Sequence, residues 1–223
     1  MKAAWNIVFI GVVLLYFAGM ALQNDVLQFF LKPLLAGTLL GIFIAETAGI
    51  ISPFKKWIIG ALLFSAGGDT LLMFANNKEL YFILGLVSFL IAHVFYILCF
   101  HFIKTQESVS GKWYTAIIVG VYYFFMMSFL LPHLDALKIP VLVYGIVISF
   151  MLLLAMHLYD LADHKTAQMI LTGAIFFVVS DSVLAMNKFY HPTAWGGWAI
   201  MTTYVLAQWL LTRGMIRYIR QKG

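Results

Sequence analysis

Two aspartates stand within long apolar stretches: Asp69 in Gly68-Asp69-Thr70-Leu71-Leu72, and Asp181 in Ser180-Asp181-Ser182-Val183-Leu184. Ionisable groups are costly in hydrocarbon, so they usually face a bundle interior or a watery cavity. His93 and Gln208 form a second polar pair, in Ala92-His93 and Ala207-Gln208. Tyr96 lies three residues after His93 and Tyr204 four before Gln208, spacings that put each pair on one helix face. Two carboxyls in one low-dielectric cavity suit acid/base work, one giving a proton while the other takes one. His93 and Gln208 are placed to orient water or a carboxyl, with Tyr96, Tyr144 and Tyr204 as further donors. Each residue also has a plainer use, since a membrane histidine or glutamine often only bridges helices and a carboxylate can cap a helix or pair with lysine.

The elements that carry these residues are apolar helices. Of the 223 residues, 63% are hydrophobic and 10% charged, and the mean hydropathy is +0.96. A soluble domain must keep much of its exterior polar, whereas a bilayer removes that requirement. Runs of about 20 apolar residues, the length that crosses the hydrocarbon core, fall near 5–22, 31–51, 57–75, 80–103, 113–131, 138–159, 166–186 and 196–217. The breaks between them carry turn residues: Gln23-Asn24-Asp25, Ser52-Pro53, Asn76-Asn77-Lys78-Glu79, Glu107 to Gly111, and Asn187 to Gly197. The expected fold is all-α, a polytopic membrane protein of about eight transmembrane helices in a single domain and one bundle. The first run follows one lysine and could be taken for a signal peptide; with seven comparable runs behind it, it reads as a membrane helix.

Eight crossings put both termini on one side. That side carries Lys2, Lys55, Lys56, Lys104, Lys112, Lys165, Arg213, Arg217, Arg220 and Lys222, whereas the other carries Lys32, Lys78, Lys138 and Lys188. The asymmetry points to cytoplasmic termini. It also accounts for the net charge of +5, which makes nucleic acid an improbable partner. On this topology both aspartates lie about 8–9 Å inside the outer boundary, at 1.5 Å per residue, so they could share one cavity, with His93 and Gln208 deeper.

Helices 1–4 resemble helices 5–8 in order. The aspartate strings match, as do Ala92-His93 and Ala207-Gln208, and Leu31-Lys32-Pro33 opens its run much as Leu137-Lys138-Ile139-Pro140 does. With four crossings per half, such a 4+4 repeat would be parallel. Pro33 suits a first helical turn, which would set Lys32 at the outer boundary, to meet a lipid phosphate or to snorkel. Gly37, Gly41, Ala45 and Gly49 form a small-residue ladder that reads as a close helix contact, making Glu46 beside it a packing residue.

Cys99 is the only cysteine, so an intramolecular disulfide and a thiolate cluster are both impossible. Gly-x-Ser-x-Gly, His-Glu-x-x-His, the phosphate-binding loop and the dinucleotide fingerprint are absent. Asp69, Asp181 and His93 lack a recognisable metal spacing, so the expected site is metal-free, without a cofactor. The other histidines, His101, His133, His157, His164 and His191, fall near helix ends or in loops.

Six stretches in series resemble the YhhN-like lysoplasmalogenase family. They are Lys32-Pro33, Leu63 to Met73 around Asp69, Gly85 to Tyr96 around His93, Pro140 to Gly145 with Tyr144, Phe176 to Phe189 around Asp181, and Thr203 to Gln208. The likeness runs from about residue 31 to 210, and helices 1 and 5 add little to it. It implies an eight-helix enzyme, with bacterial members of similar size in the cytoplasmic membrane. Such an enzyme hydrolyses the vinyl ether of a lysoplasmalogen, a lysophospholipid, to a fatty aldehyde and glycerophosphocholine or glycerophosphoethanolamine. Membrane carboxylates with a parallel repeat also suit a small proton-coupled transporter, and a metal-dependent membrane lipid hydrolase is a third reading.

Overall fold

The computed structural model describes residues 2–75 and 78–222. Its elements are α1 (Lys2–Ala21), α2 (Asp25–Glu46), α3 (Lys55–Met73), α4 (Glu79–Gln106), α5 (Trp113–Leu130), α6 (Lys138–His157), α7 (His164–Ala185) and α8 (Gly196–Lys222). No strand occurs among the described residues. Among the described residues, six helical stretches are long and apolar enough to cross a membrane: those of α1, α2, α4, α5, α6 and α7. The other two are diluted by polar residues, Lys55, Lys56 and Asp69 in α3, and Gln208 with the basic tail from Arg213 in α8. The chain is an all-α, multi-pass membrane protein. Many exposed side chains are large and apolar, including Ile7, Leu14, Phe30, Phe124, Phe125 and Ile146, as a lipid-facing surface requires.

Most helix ends fall close to the expected positions, and α2 departs furthest. It begins at Asp25, where the Asn24 side chain accepts from the Leu27 amide at 3.0 Å. Lys32 and Pro33 therefore lie inside the helix rather than at its start; a proline there is tolerated in membrane helices because neighbouring groups satisfy the freed carbonyl. The helix also stops early. Gly49, at φ +80°, lies beyond α2 in the chain reversal, a backbone setting that glycine adopts without cost. The Lys55 ammonium donates to the Thr47 and Ile50 carbonyls at 2.9 and 3.2 Å, bracing the chain reversal that follows the helix. The small-residue ladder is correspondingly shorter. A Cβ on Gly41 would sit 2.5 Å from the Trp5 ring, whereas one on Gly37 would meet nothing within 4 Å. Asn76 and Asn77, expected in the turn between α3 and α4, lie outside the described residues.

The chain divides into two compact units, one of residues 1–96 and 215–223, the other of residues 97–214. In the first, α2 packs on both α1 and α3. Arg220, near the C-terminus, forms an ion pair with the buried Glu46 at 2.7 Å and donates to its carbonyl at 3.1 Å. In the second, α6 lies against α5 and α7. Within both units, hydroxyls turn back onto their own helices. Thr38, Thr47, Thr70, Thr105 and Thr203 each donate to the carbonyl four residues earlier, at 2.6–3.0 Å.

Candidate active site

In the first unit Asp69 is seated by a close approach of α3 and α4. Gly68 makes it possible, because a Cβ there would lie 2.6 Å from the Phe89 ring. Ser88 donates to the Phe64 carbonyl at 2.6 Å across the same interface, and a Cβ on Gly67 would come within 3.0 Å of that serine oxygen. The glycines before the aspartate thus act as packing surface. Asp69 is 2% exposed, with Ser65 one turn back fully buried. Tyr16 of α1, itself buried, is within electrostatic reach of the Asp69 carboxyl. On α4, one turn beyond Phe89, His93 is fully buried with the Phe89 carbonyl within reach. Tyr96 is fully buried too, and Lys32 is half-buried on α2.

In the second unit the surroundings of Asp181 are built from hydroxyls. Asp181 is half-buried on α7. Tyr144 of α6 donates its phenolic proton to the Asp181 Oδ2. Tyr204 of α8 is in electrostatic contact with Tyr144, stacks edge-on against Phe177 of α7 at a 5.7 Å centroid separation, and accepts from the Gln208 amide at 3.4 Å. That last bond is the one-face pairing expected from their spacing. The α7–α8 approach depends on Gly173, where a Cβ would lie 3.0 Å from the Leu211 amide nitrogen and 3.1 Å from the Ala207 carbonyl.

Asp181, Tyr144, Tyr204 and Gln208 therefore gather within one unit, while Asp69, His93, Tyr96 and Lys32 belong to the other. Two residues that the sequence did not single out join the Asp181 group. Tyr122 of α5 is hydrogen-bonded to Ser182 at 2.8 Å and is in electrostatic reach of Asp181. Both sit in segments rich in apolar and hydroxyl residues, where nothing about spacing marks them. No group of three or more His, Cys, Asp or Glu side chains among the described residues is arranged to hold a metal ion.

A model of the YhhN family matches residues 27–215. The chain belongs to the YhhN family. Among curated relatives, human lysoplasmalogenase TMEM86B is 33% identical over 172 residues, covering 75% of this chain and 68% of that protein. Human lysoplasmalogenase TMEM86A is 32% identical over 163 residues, covering 71% and 65%. A lysoplasmalogenase of Mycobacterium bovis is 32% identical over 173 residues, covering 76% and 64%. The chain thus aligns with about two thirds of the length of each. No solved structure matches. The polar residues grouped around Asp69 and Asp181, except Tyr16, fall inside the span of the family match.

Proposed function

We propose that this YhhN-family chain is a lysoplasmalogenase, hydrolysing the vinyl ether of a lysoplasmalogen to a fatty aldehyde and a glycerophospho-base. The observation that carries this reading is the match across residues 27–215, joined to relatives named for that activity. Vinyl ether hydrolysis begins with protonation of the distal alkene carbon. Water adds to the resulting oxocarbenium ion, and the hemiacetal collapses to aldehyde and alcohol. The reaction needs a placed acid, an anion to stabilise the cation, and a base for water.

Asp69 and Asp181 are our candidates for the acid and base roles. The Tyr144 hydroxyl, by donating to Asp181, would orient that carboxyl, while Tyr204 and Gln208 supply further polar groups beside it. His93 and Tyr96 are the corresponding candidates on α4. Lys32 would receive the headgroup phosphate, which both phosphocholine and phosphoethanolamine lysolipids carry, and the alkenyl chain would lie along apolar helix faces. The excess of basic residues in one set of loops supports cytoplasmic termini.

The test is aldehyde release from a lysoplasmalogen by the purified protein in lipid vesicles. Turnover of the vinyl-ether lipid with no turnover of its ester-linked counterpart is the expected result. Proton-coupled solute flux with no lipid turnover would overturn it in favour of a transporter. A Lys32→Ala variant should raise KM with kcat little changed; an unaltered KM removes the headgroup role.

A further inference from the structure

Ser182 has one hydroxyl proton, and at 2.6 Å from the Val178 carbonyl that proton is committed to the preceding turn of α7. A carbonyl oxygen can only accept, so the 2.8 Å contact between Ser182 and Tyr122 must be made by the tyrosine's proton. The order of donation is therefore Tyr122 to Ser182 to Val178, with Tyr122 arriving from α5 and the other two on α7. Ser182 immediately follows Asp181, which receives the Tyr144 proton from α6. Two phenols from two helices thus fix the same turn of α7, one at the carboxyl and one at the next residue. Tyr123, beside Tyr122, instead approaches the Leu142 carbonyl at 3.4 Å, so adjacent tyrosines tie α5 to two different helices.

We propose that Tyr122 is a positioning residue for Asp181, acting through Ser182. Its bond holds the α7 turn at the rotation that points the Asp181 carboxyl at Tyr144. The substrate need not touch Tyr122. In the first unit Tyr16 of α1 lies within electrostatic reach of Asp69 on α3. The catalytic part of the inference rests on the lysoplasmalogenase reading; the tie itself does not.

The experiment compares Tyr122→Phe, Ser182→Ala, the double variant and Ser182→Thr in the full-length protein in vesicles. Interhelical hydrogen bonds in membranes are worth about 0.6–1.7 kcal/mol, so each single variant should lose roughly three- to eighteenfold in kcat, with KM within about twofold. Because both remove the same bond, the double variant should be no slower than the worse single one. Ser182→Thr, which keeps a hydroxyl able to bond back to Val178, should recover most of the rate. The infrared carboxyl band that vanishes in Asp181→Asn should shift in Tyr122→Phe. Wild-type kcat with an unmoved band overturns the proposal, as do additive losses. A fall in melting temperature with an unmoved band also overturns it, since that is loss of packing alone. If the wild-type protein releases no aldehyde, the enzymatic reading fails, and the band shift still decides whether Tyr122 governs Asp181.

Discussion

Asp69 and Asp181 sit in similar short strings of the sequence, and the contacts around them differ. In the first, α3 and α4 close through Gly68 and the Phe89 ring, leaving Asp69 2% exposed. In the second, Asp181 is half-buried and accepts a phenolic proton from Tyr144, with Tyr122 tied to its neighbour. A close shape contact borders Asp69, and a directional hydrogen bond reaches Asp181. Shape and hydrogen bonding fail differently when a side chain is removed. Truncating a packed ring leaves a void and loosens the unit, whereas deleting one hydroxyl keeps the ring's packing and loses one directional bond.

The largest effect should come from the carboxyls themselves. Asp69→Asn and Asp181→Asn should each lower the rate of aldehyde release by at least about 100-fold, the scale of general acid/base catalysis; a wild-type rate in either variant removes that residue from the chemistry. Next, Phe89→Ala should cost about 3–5 kcal/mol of stability, read as a lower melting temperature in detergent. Tyr144→Phe should leave the melting temperature within a few degrees and slow turnover up to about tenfold, the scale of one lost hydrogen bond. If Phe89→Ala spares stability, or Tyr144→Phe unfolds the protein, the contrast between the two units is wrong.

Charge pairs extend the contrast at smaller scale. Glu46 is 4% exposed beneath Arg220, so Arg220→Ala removes an ion pair from a buried carboxylate. It should destabilise by about 1–2 kcal/mol, less than a fully buried pair because the arginine is itself 37% exposed. Lys112 and Asp160, 2.6 Å apart in the second unit, are both 37% exposed. Their hydrogen bond holds the Lys112 ammonium above the ordinary lysine range. A raised value means that the pair's small contribution is complete below the unfolded lysine pKa and is lost as pH rises through the folded one. Lys112→Ala should therefore barely move the melting temperature at neutral pH, and less still at high salt.

Much of the fold was legible because apolar run length is a direct consequence of bilayer thickness. The starts of α5, α6 and α8 fall on the expected residues, 113, 138 and 196. Elsewhere two local signals competed. Pro33 reads as a helix start, yet Asn24 caps the helix two turns earlier, and in a membrane an internal proline is no strong argument against a helix. For the site, the aspartates, Tyr144, Tyr204 and Gln208 were legible as polar residues in expensive places. Tyr122 was not, because its partner lies 60 positions away and a phenol among phenylalanines carries no periodic signature. The role of Gly68 was equally hidden, since only the ring facing it shows why a side chain is excluded.

The threonines that bond back to their own helices bear on how the chain is made. Thr38, Thr70 and Thr203 reach carbonyls four residues earlier, so those hydroxyls find an acceptor as soon as their own helix has formed. A nascent segment leaving the insertion machinery can present them to lipid without waiting for later segments. The Tyr144–Asp181 bond instead needs α7 to arrive before α6 can complete it. Assembly of that site is thereby postponed until late in synthesis, and a ribosome-stalled intermediate ending before residue 181 would contain α6 with its phenol still awaiting the carboxylate.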